Sequence, residues 1–296
     1  MASQRHVQLP PSSKAPWRPR FQSHISKLSA PEFSLATIYR DSSGAVCPRV
    51  RTCIFRGFWA EIDLRETARK QLLEDEGGGT ENGMNPNVYE SDLLTFTTDV
   101  RMEKIAQISS SSDPYQGNGA GAGGPIEAVF WVRETMTQWR IKGRAFIIGS
   151  DRHGASELES RENIRQWVRR RDGSADEDAK RWSCDNEITA IFANLSPIMR
   201  GSFKNPPPGT PRSESPSDHS LQLGQKVDDI HDPVARANFR VVVICPEEVE
   251  TVDLTVPEDP KRMRWTLTKT GENDMNSSEA RSEYNRSTWE MVELWP

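Results

Sequence analysis

The sequence is poor in apolar residues and contains no long apolar run. Hydrophobic residues make up 35% of its 296 positions and the mean hydropathy is -0.70, whereas ordinary domains carry about 45–50% apolar residues when glycine is counted. No stretch of about 20 apolar residues is present to span a membrane, and residues 1–11 lack the apolar segment of a secretory signal peptide. We therefore expect a cytoplasmic protein with no membrane contact, part of whose chain lies outside any core.

Several signatures of common functional sites are also missing. The four cysteines show no C-x-x-C spacing, so the sequence predicts neither a metal site nor a disulfide framework. A formal charge of -5 argues against a protein that coats nucleic acid. No dinucleotide-binding glycine motif, Walker loop, G-x-S-x-G or H-E-x-x-H motif occurs, and the spacing of the acidic residues singles out no catalytic residue.

The apolar deficit is concentrated in five polar stretches, which lie near residues 74–90, 109–125, 150–160, 206–232 and 270–286. Each is rich in glycine, proline, serine or charge. They carry too few apolar side chains to offset the entropy lost when a backbone becomes ordered. We predict that they are insertions in surface loops.

Between these stretches, short β-branched and aromatic runs indicate strands. Residues 33–40 and 49–56 flank a turn-like segment and predict a hairpin. Further strands are predicted at 93–98, 126–133, 138–148, 239–244, 249–254, 263–267 and 288–294, and helices at 17–28, 161–171 and 188–203. Many short strands with few helices between them favour a mainly β (α+β) fold, an antiparallel barrel with a few flanking helices.

The second strand of the hairpin carries Arg49, Arg51 and Arg56. Two guanidinium groups can share a dianionic phosphate through forked hydrogen bonds. Strand alternation places Arg56 on the opposite face from the other two, so one ligand meets all three only if a bulge or a dimer interface intervenes. From this strand alone, the alternative of polar residues on the outer face of a barrel is the better interpretation.

Hydroxyl and amino groups follow the strand predicted at 93–98. Thr97 and Thr98 end it, and Lys104 stands where a helix is expected to begin. This combination offers O–H donors, backbone N–H groups and an ammonium group to a phosphate, although an ordinary helix start with solvated charges is an equally good interpretation. Gln138, in a later strand, presents its amide either to a ligand or to water.

Four ordered segments together resemble the pyridoxamine 5'-phosphate oxidase family. They are residues 33–37 (FSLAT) with 51–58 (RTCIFRGF), residues 96–104 (FTTDVRMEK), residues 138–140 (QWR), and a W-x4-L-x-P ending at 289–296. Thr98-Asp99-x-Arg101, the later Leu195-Ser196-Pro197 and the segment Pro206-Pro207-Pro208-Gly209 are similar to an FMN-binding branch of that family. Met102 and Glu103 stand where family members commonly carry serine and a basic residue, which implies a weaker phosphate site or one assisted by Arg101.

The resemblance implies a split β-barrel that forms a homodimer with FMN at the subunit interface. It places Arg51 and Lys104 at the FMN phosphate, with Thr97 and Thr98 nearby. It also places the backbone of Thr52, Cys53 and Ile54 beside the isoalloxazine ring, Gln138 at the polar edge of the flavin, and Arg56 where flavin and substrate meet. Arg262 and Arg264 stand in a reduced form of the family's closing substrate motif, and they join Arg56 as candidate substrate-binding residues.

These expectations give a domain organisation and a function. Residues 1–15 are expected to form a disordered N-terminal tail, and residues 16–296 a single FMN-binding split-barrel domain interrupted by the five insertions. The implied function is that of an FMN-dependent oxidoreductase acting on a small molecule. One alternative is a non-catalytic FMN carrier or sensor, which the weakened substrate motifs favour, and another is a barrel that serves only as an interaction module.

Overall fold

The computed structural model describes residues 13–75, 83–110, 120–149, 154–214, 216, 218–269 and 287–296. Its helices are α1 (Arg18–Ile25), α2 (Glu66–Leu73), α3 (Glu103–Ser110), α4 (Ala155–Arg165), α5 (Asp176–Arg181), α6 (Cys184–Ala193), α7 (Pro197–Gly201) and α8 (Pro233–Asn238). Its strands are β1 (Glu32–Arg40), β2 (Val46–Phe58), β3 (Tyr89–Glu90), β4 (Leu94–Asp99), β5 (Gly124–Val132), β6 (Thr137–Ile148), β7 (Arg169–Arg170), β8 (Phe239–Asp253), β9 (Lys261–Lys269) and β10 (Ser287–Leu294). Among the helices described, none has the length and apolar character needed to cross a membrane.

Six strands close into an antiparallel ring. Their order is β8-β4-β2-β1-β5-β6, and β6 pairs back onto β8, while β9 and β10 extend the sheet outward from β8. Closure removes the unpaired edges that an open sheet would expose. The ring confirms the predicted mainly β, antiparallel fold, and it is the arrangement that a split barrel requires.

The two strands predicted at 239–244 and 249–254 are a single strand, β8. Its first half pairs with β4, its second half pairs with β9, and both halves pair with β6. The apolar run is interrupted around Pro246, where the register with β6 shifts between Lys142 and Gly143. A bulge tolerates proline because it needs no ladder N–H there, and a Cβ on Gly143 would lie 2.1 Å from the Cys245 carbonyl oxygen.

Two apolar cores lie on opposite faces of the ring. Val242 and Ile244 of β8 belong to a cluster with side chains of α1, β1, β5 and β6. Val241 and Val243 belong to a second cluster that includes side chains of α2, α4 and α6. This alternation follows from the two-residue repeat of a strand. In the first cluster Phe21 of α1 makes edge contacts with Phe130 and Trp139, at centroid distances of 5.1 and 5.2 Å.

The helix predicted at 161–171 is displaced along the chain. It occupies Ala155–Arg165, so part of the insertion predicted near 150–160 is helical, with Glu157 and Ser160 buried. Arg169 and Arg170 instead form a short ladder with Glu90 and Tyr89. The basic side chains after this helix are held by acidic residues of another segment, since Arg169 lies 2.8 Å from Asp92.

The predicted tail begins to pack before its expected boundary at residue 15. Ala15 is buried, and its backbone N–H donates to Asp92 at 3.0 Å. Lys14 also forms an ion pair with Glu90 at 2.8 Å. A buried N–H must find an acceptor, and the acceptor here is a carboxylate distant in sequence. Part of the predicted tail and parts of the predicted insertions lie outside the described residues. They are residues 1–12 of the tail and residues 76–82, 111–119, 150–153, 215, 217 and 270–286 of the insertions. The described residues of 206–232 contain no helix or strand.

Replacing Gly57 with alanine is expected to destabilise the protein. Gly57 has φ +117°, and an added Cβ would lie 3.2 Å from Cδ1 of Ile62. A backbone conformation that side chains rarely adopt costs about 1–3 kcal/mol. Gly57→Ala should therefore lower the free energy of unfolding by about 1–2 kcal/mol, measured by denaturant titration. The same change at Gly173, where an added Cβ meets nothing within 4 Å but φ is also positive, separates backbone strain from contact.

Candidate functional site

A bulge in β2 redirects Arg56. Phe55 pairs with Phe96 and Gly57 pairs with Thr95, so Arg56 is the extra residue between them. A bulge of this kind re-aims a side chain and bends the strand. The Arg56 guanidinium Nε lies 3.4 Å from Oγ1 of Thr97 on the neighbouring strand, so the bulge considered in the sequence analysis is present, although it does not bring the three arginines to one cavity.

A cavity of about 740 Å³ opens beside β2 and the end of β4. One side is formed by five of the residues predicted to bind FMN, namely Thr52, Cys53, Thr97, Thr98 and Lys104, together with Asp99 and Met102. The opposite side is formed by the proline-rich segment that includes residues 205–212. Its volume is within the range of about 300–1,000 Å³ that is typical of small-molecule sites.

Lys104 is a partly buried cation among neutral groups. Its ammonium Nζ lies 3.2 Å from Oγ1 of Thr98 and 2.8 Å from the sulfur of Met102. Burial lowers the pKa of Lys104, and the positive charge of Arg51 lowers it further. In the described part of the chain no carboxylate forms an ion pair with this lysine, so the site is suited to an anion.

Arg51 is held beside the cavity by two buried polar side chains. Its guanidinium donates to Oγ1 of Thr37 at 2.6 Å and to Oε1 of Gln107. Thr37 also donates to Gln107 at 2.7 Å. Arg51 does not line the cavity, although its charge acts on both Lys104 and Cys53. Sequence reasoning missed Gln107, although its position three residues after Lys104 on α3 could have suggested it.

Arg101 does not assist the cavity as a free cation. Its guanidinium makes two contacts with Asp99, Nε to Oδ1 at 2.9 Å and Nη2 to Oδ2 at 2.6 Å. It also donates to the backbone carbonyls of Asn205 at 3.0 Å and Phe203 at 3.3 Å. A fork of this geometry satisfies most of the guanidinium donors. The suggestion that Arg101 compensates for Met102 and Glu103 at a phosphate is therefore not supported by its contacts.

A second pocket of about 310 Å³ lies at the bulge itself. It is lined by Ile54, Arg56, Arg65 and Asn194 together with Ser29, Ala30, Pro31, Phe55, Ile62, Ile191 and Leu195. Burial lowers the pKa of Arg56, and the charge of Arg65 lowers it further. Within the described ranges, no ion pair joins either arginine to a carboxylate. Two cations thus face a small pocket that has no acidic wall.

The remaining predicted site residues lie elsewhere in the sheet. Gln138 on β6 stands opposite Trp131 and Val252 and lines neither pocket. Arg262 and Arg264 on β9 bind Glu250 of β8, with N–O distances of 2.9 and 3.2 Å. The fold does not bring these three side chains to the cavities within one copy of the chain.

The residues of the larger cavity fit a phosphate-bearing ligand. Lys104 supplies an ammonium group without a carboxylate, and Thr97 and Thr98 supply hydroxyl groups at the same wall. Burial raises the pKa of the Cys53 thiol, so this wall stays neutral and apolar beside them. Neutral apolar and cationic surfaces in one cavity suit a ligand with both an aromatic and an anionic end.

Comparison with protein families identifies the segment that forms the β2 and β4 side of this cavity. Residues 14–149 match the family described as pyridoxamine 5'-phosphate oxidase, FMN-binding domain. This segment belongs to that family. The match confirms the resemblance and the cofactor, FMN, that the sequence indicated. The FMN-binding domain as matched includes all nine predicted cofactor residues, whereas the proline-rich wall, β8 and the arginines of β9 lie beyond it.

One solved structure shows the same fold, and two more distant ones are also similar. A pyridoxamine 5'-phosphate oxidase-related, FMN-binding protein from Nostoc punctiforme is 20% identical, with a TM-score of 0.50 over 96% of this chain and 100% of its own. PhzG from Burkholderia lata, in complex with tetrahydrophenazine-1-carboxylic acid, is 13% identical with a TM-score of 0.39, over 94% and 90%. General Stress Protein 26 from Bacillus anthracis is 11% identical with a TM-score of 0.30, over 78% and 93%. A comparison with curated proteins finds no matching relative.

Proposed function

We propose that this FMN-binding protein is an oxidoreductase that acts on an anionic small molecule. The observation that carries the proposal is the pair of pockets along β2, one beside Thr52 and Cys53 and one at the bulge. One holds Lys104 and the other holds Arg56, and Thr97 lines the first while contacting Arg56. Two adjoining anion-binding pockets suit a phosphate-bearing cofactor and a charged substrate bound next to it.

The proposal assigns the predicted residues to distinct tasks. Lys104, with Thr97 and Thr98, binds the FMN phosphate, and Arg51 adds positive potential from its place beside Gln107. Thr52, Cys53 and Ile54 pass between the two pockets and form the surface for the ring. When bound, FMN supplies the hydride chemistry. The protein then has to orient the substrate. Arg56 and Arg65 do so by binding the negative charge of the substrate.

A second copy of the chain is part of the proposal. Val46 and Val50 of β2 are 55% and 73% exposed, and Ile38 of β1 is 41% exposed, on the same hairpin that carries Thr52 and Cys53. Exposed apolar groups next to a ligand cavity are typical of an interface. A homodimer would cover them and could bring Gln138, Arg262 or Arg264 of one subunit toward the cavity of the other.

A non-catalytic FMN carrier or sensor is the second candidate. One observation favours it, because Arg262 and Arg264 are engaged by Glu250 rather than free to bind a substrate. This candidate shares the FMN site and differs only in turnover. Reduction of the bound flavin by a substrate therefore separates the two.

Anaerobic stopped-flow reduction of the FMN-loaded protein tests the proposal. We expect bleaching of the visible flavin band on mixing with at least one of NADH, NADPH, pyridoxamine phosphate or pyridoxine phosphate, and its return in air. A yellow protein whose flavin none of these reduces would favour the carrier or sensor. A protein that takes up no FMN would contradict both candidates.

Replacing Arg56 should damage substrate use more than cofactor binding. Arg56→Leu removes a cation from the second pocket, and a hydrogen bond to a charged group is worth about 1.5–3 kcal/mol. We expect KM for an anionic reductant to rise at least about tenfold, with FMN affinity changed less than threefold. Arg69→Leu, at an exposed arginine of α2 that lies one turn after Arg65 and lines neither pocket, is the matched control. An unchanged KM in Arg56→Leu would reject this assignment.

A further inference from the structure

The wall of the larger cavity opposite β2 is built from a segment rich in proline. We call residues 205–212 the proline strap; it contains Pro206, Pro207, Pro208 and Pro211. All of its residues except Gly209 line the cavity, facing Thr52, Thr98 and Lys104. Proline fixes one backbone dihedral and removes conformational freedom before any ligand binds. The backbone of the strap is therefore already restricted before a ligand binds.

The beginning of the strap is fastened by Arg101. Its Nη1 donates to the carbonyl of Asn205, the first strap residue, at 3.0 Å, and its Nη2 donates to the carbonyl of Phe203 at 3.3 Å. The same guanidinium is paired with Asp99, which itself lines the cavity and is 4% exposed. Arg101, three residues before Lys104, thus joins Asp99 at the end of β4 to the opposite wall of the cavity.

Other contacts hold the residues that directly precede the strap. Phe203 is anchored in the core against Phe239 at 5.1 Å, and Asn238 donates to its carbonyl at 2.8 Å. Directly before the strap, the backbone N–H of Gln222 donates to the Lys204 carbonyl at 3.0 Å, and the Lys204 ammonium pairs with Asp232 at 2.9 Å. Within the strap, Thr210 donates from its hydroxyl to the Pro207 carbonyl at 2.8 Å. In the described part of the chain, Arg101 is the side chain that bonds the strap's own backbone from the β4 side of the cavity.

We infer that Arg101 is a positioning residue for the flavin site, which holds the proline strap in place as the wall that retains FMN. The inference rests on the proposed placement of FMN in this cavity. Arg101 does not bind the phosphate itself, because Asp99 and two carbonyls engage its guanidinium. It keeps the two walls at a fixed separation, so less freedom is lost when FMN binds and more contacts must break before FMN leaves.

The rate of FMN release tests this role. FMN-loaded full-length protein is diluted and the recovery of free flavin fluorescence is followed. Arg101→Lys, which keeps the charge but loses the fork, should release FMN about tenfold faster. Replacing Pro206, Pro207 and Pro208 together with glycine should have a similar effect. The combined variant should be no faster than either alone, because both changes loosen the same wall.

Arg171→Lys is the matched control. Arg171 joins Glu61 at 2.8 Å to the carbonyl of Tyr89 at 3.1 Å, the same kind of contact away from both pockets. It should lose stability without a change in FMN release. If Arg101→Lys does not fold, the triple glycine variant still decides the question.

Each outcome has one meaning. Wild-type release rates in the triple glycine variant, or rate effects that multiply in the combined variant, would overturn the positioning role while leaving the FMN site intact. A wild-type protein that takes up no FMN would overturn the proposed function and the inference with it. Faster release that does not multiply, with unchanged release in Arg171→Lys, would support the role.

Discussion

Lys104→Met is expected to weaken FMN binding by about 10- to 100-fold, since a charge-assisted hydrogen bond is worth about 1.5–3 kcal/mol. The protein without FMN should be no less stable than the wild type. Burial lowers the pKa of this lysine, which means that the fold disfavours its charged form. Methionine keeps most of the length of the side chain without that charge. Fluorescence titration with FMN and denaturant unfolding of the FMN-free protein measure the two quantities.

Replacing Arg51 provides a second test that the FMN phosphate lies in this cavity. Arg51→Ala should weaken FMN binding and also destabilise the protein, because Thr37 and Gln107 lose the donor that they share. Arg49→Ala is the matched control on the same strand, since Arg49 is exposed, contacts the Pro48 carbonyl at 3.4 Å and the Tyr39 ring at 5.2 Å, and lines neither pocket. Unchanged FMN affinity in both Lys104→Met and Arg51→Ala would show that the phosphate lies elsewhere.

Glu187→Gln is expected to stabilise the protein above pH 7 and to flatten the pH dependence of its stability. Glu187 on α6 is fully buried, and this burial raises its pKa to about 7, against opposing hydrogen bonds from Asn85 and the Ala60 backbone. The Asn85 amide donates to its Oε2 at 3.0 Å, a contact that glutamine can keep. The negative charge of Glu61 raises the pKa further.

The direction of this effect follows from proton binding. Below pH 4.5 Glu187 is protonated in the folded and the unfolded chain, so it imposes no penalty. Between pH 4.5 and 7 the unfolded chain loses the proton first, so stability falls as pH rises. Above pH 7 the full penalty applies, and it amounts to roughly 3 kcal/mol.

Denaturant unfolding of both proteins at pH 5 and pH 8 measures this effect. Glu187→Gln should differ little from the wild type at pH 5 and should be more stable at pH 8. Glu162→Gln is a control of opposite sign, because a hydrogen bond from Arg165 lowers the pKa of that exposed carboxyl and its loss should slightly destabilise the protein at pH 8. Equal stability of wild type and Glu187→Gln at both pH values would refute the assignment.

Local patterns predicted most of the strands because each strand buries one face or two. Alternation in β1, β5 and β6 is visible in the sequence and is reproduced in their burial. The predictions were wrong where tertiary contacts override composition. Residues 155–160 are polar and looked like a loop, yet they form a helix because Arg161 binds Glu157 at 2.7 Å and Asp185 at 2.9 Å.

The candidate site was predictable to the extent that its residues are close in sequence. Thr97, Thr98 and Lys104 lie within one strand-to-helix junction, and the fold brings them together as the sequence indicated. The bulge at Arg56 was one of two open explanations, and only pairing with β4 identifies it. The carbonyls of Asn205 and Phe203 that bind Arg101 come from a distant segment, and Glu250, which binds Arg262, comes from the neighbouring strand. No local pattern could have revealed them.

The central claim is that the cavity beside Lys104 binds FMN through its phosphate. The most direct test is a side-by-side fluorescence titration of the purified full-length protein with FMN and with riboflavin, which has the same ring and no phosphate. We expect FMN to bind at least about tenfold more tightly, since the charged contact with Lys104, worth about 1.5–3 kcal/mol, is lost with riboflavin. Equal affinity for the two ligands, or no binding of FMN, would contradict the claim.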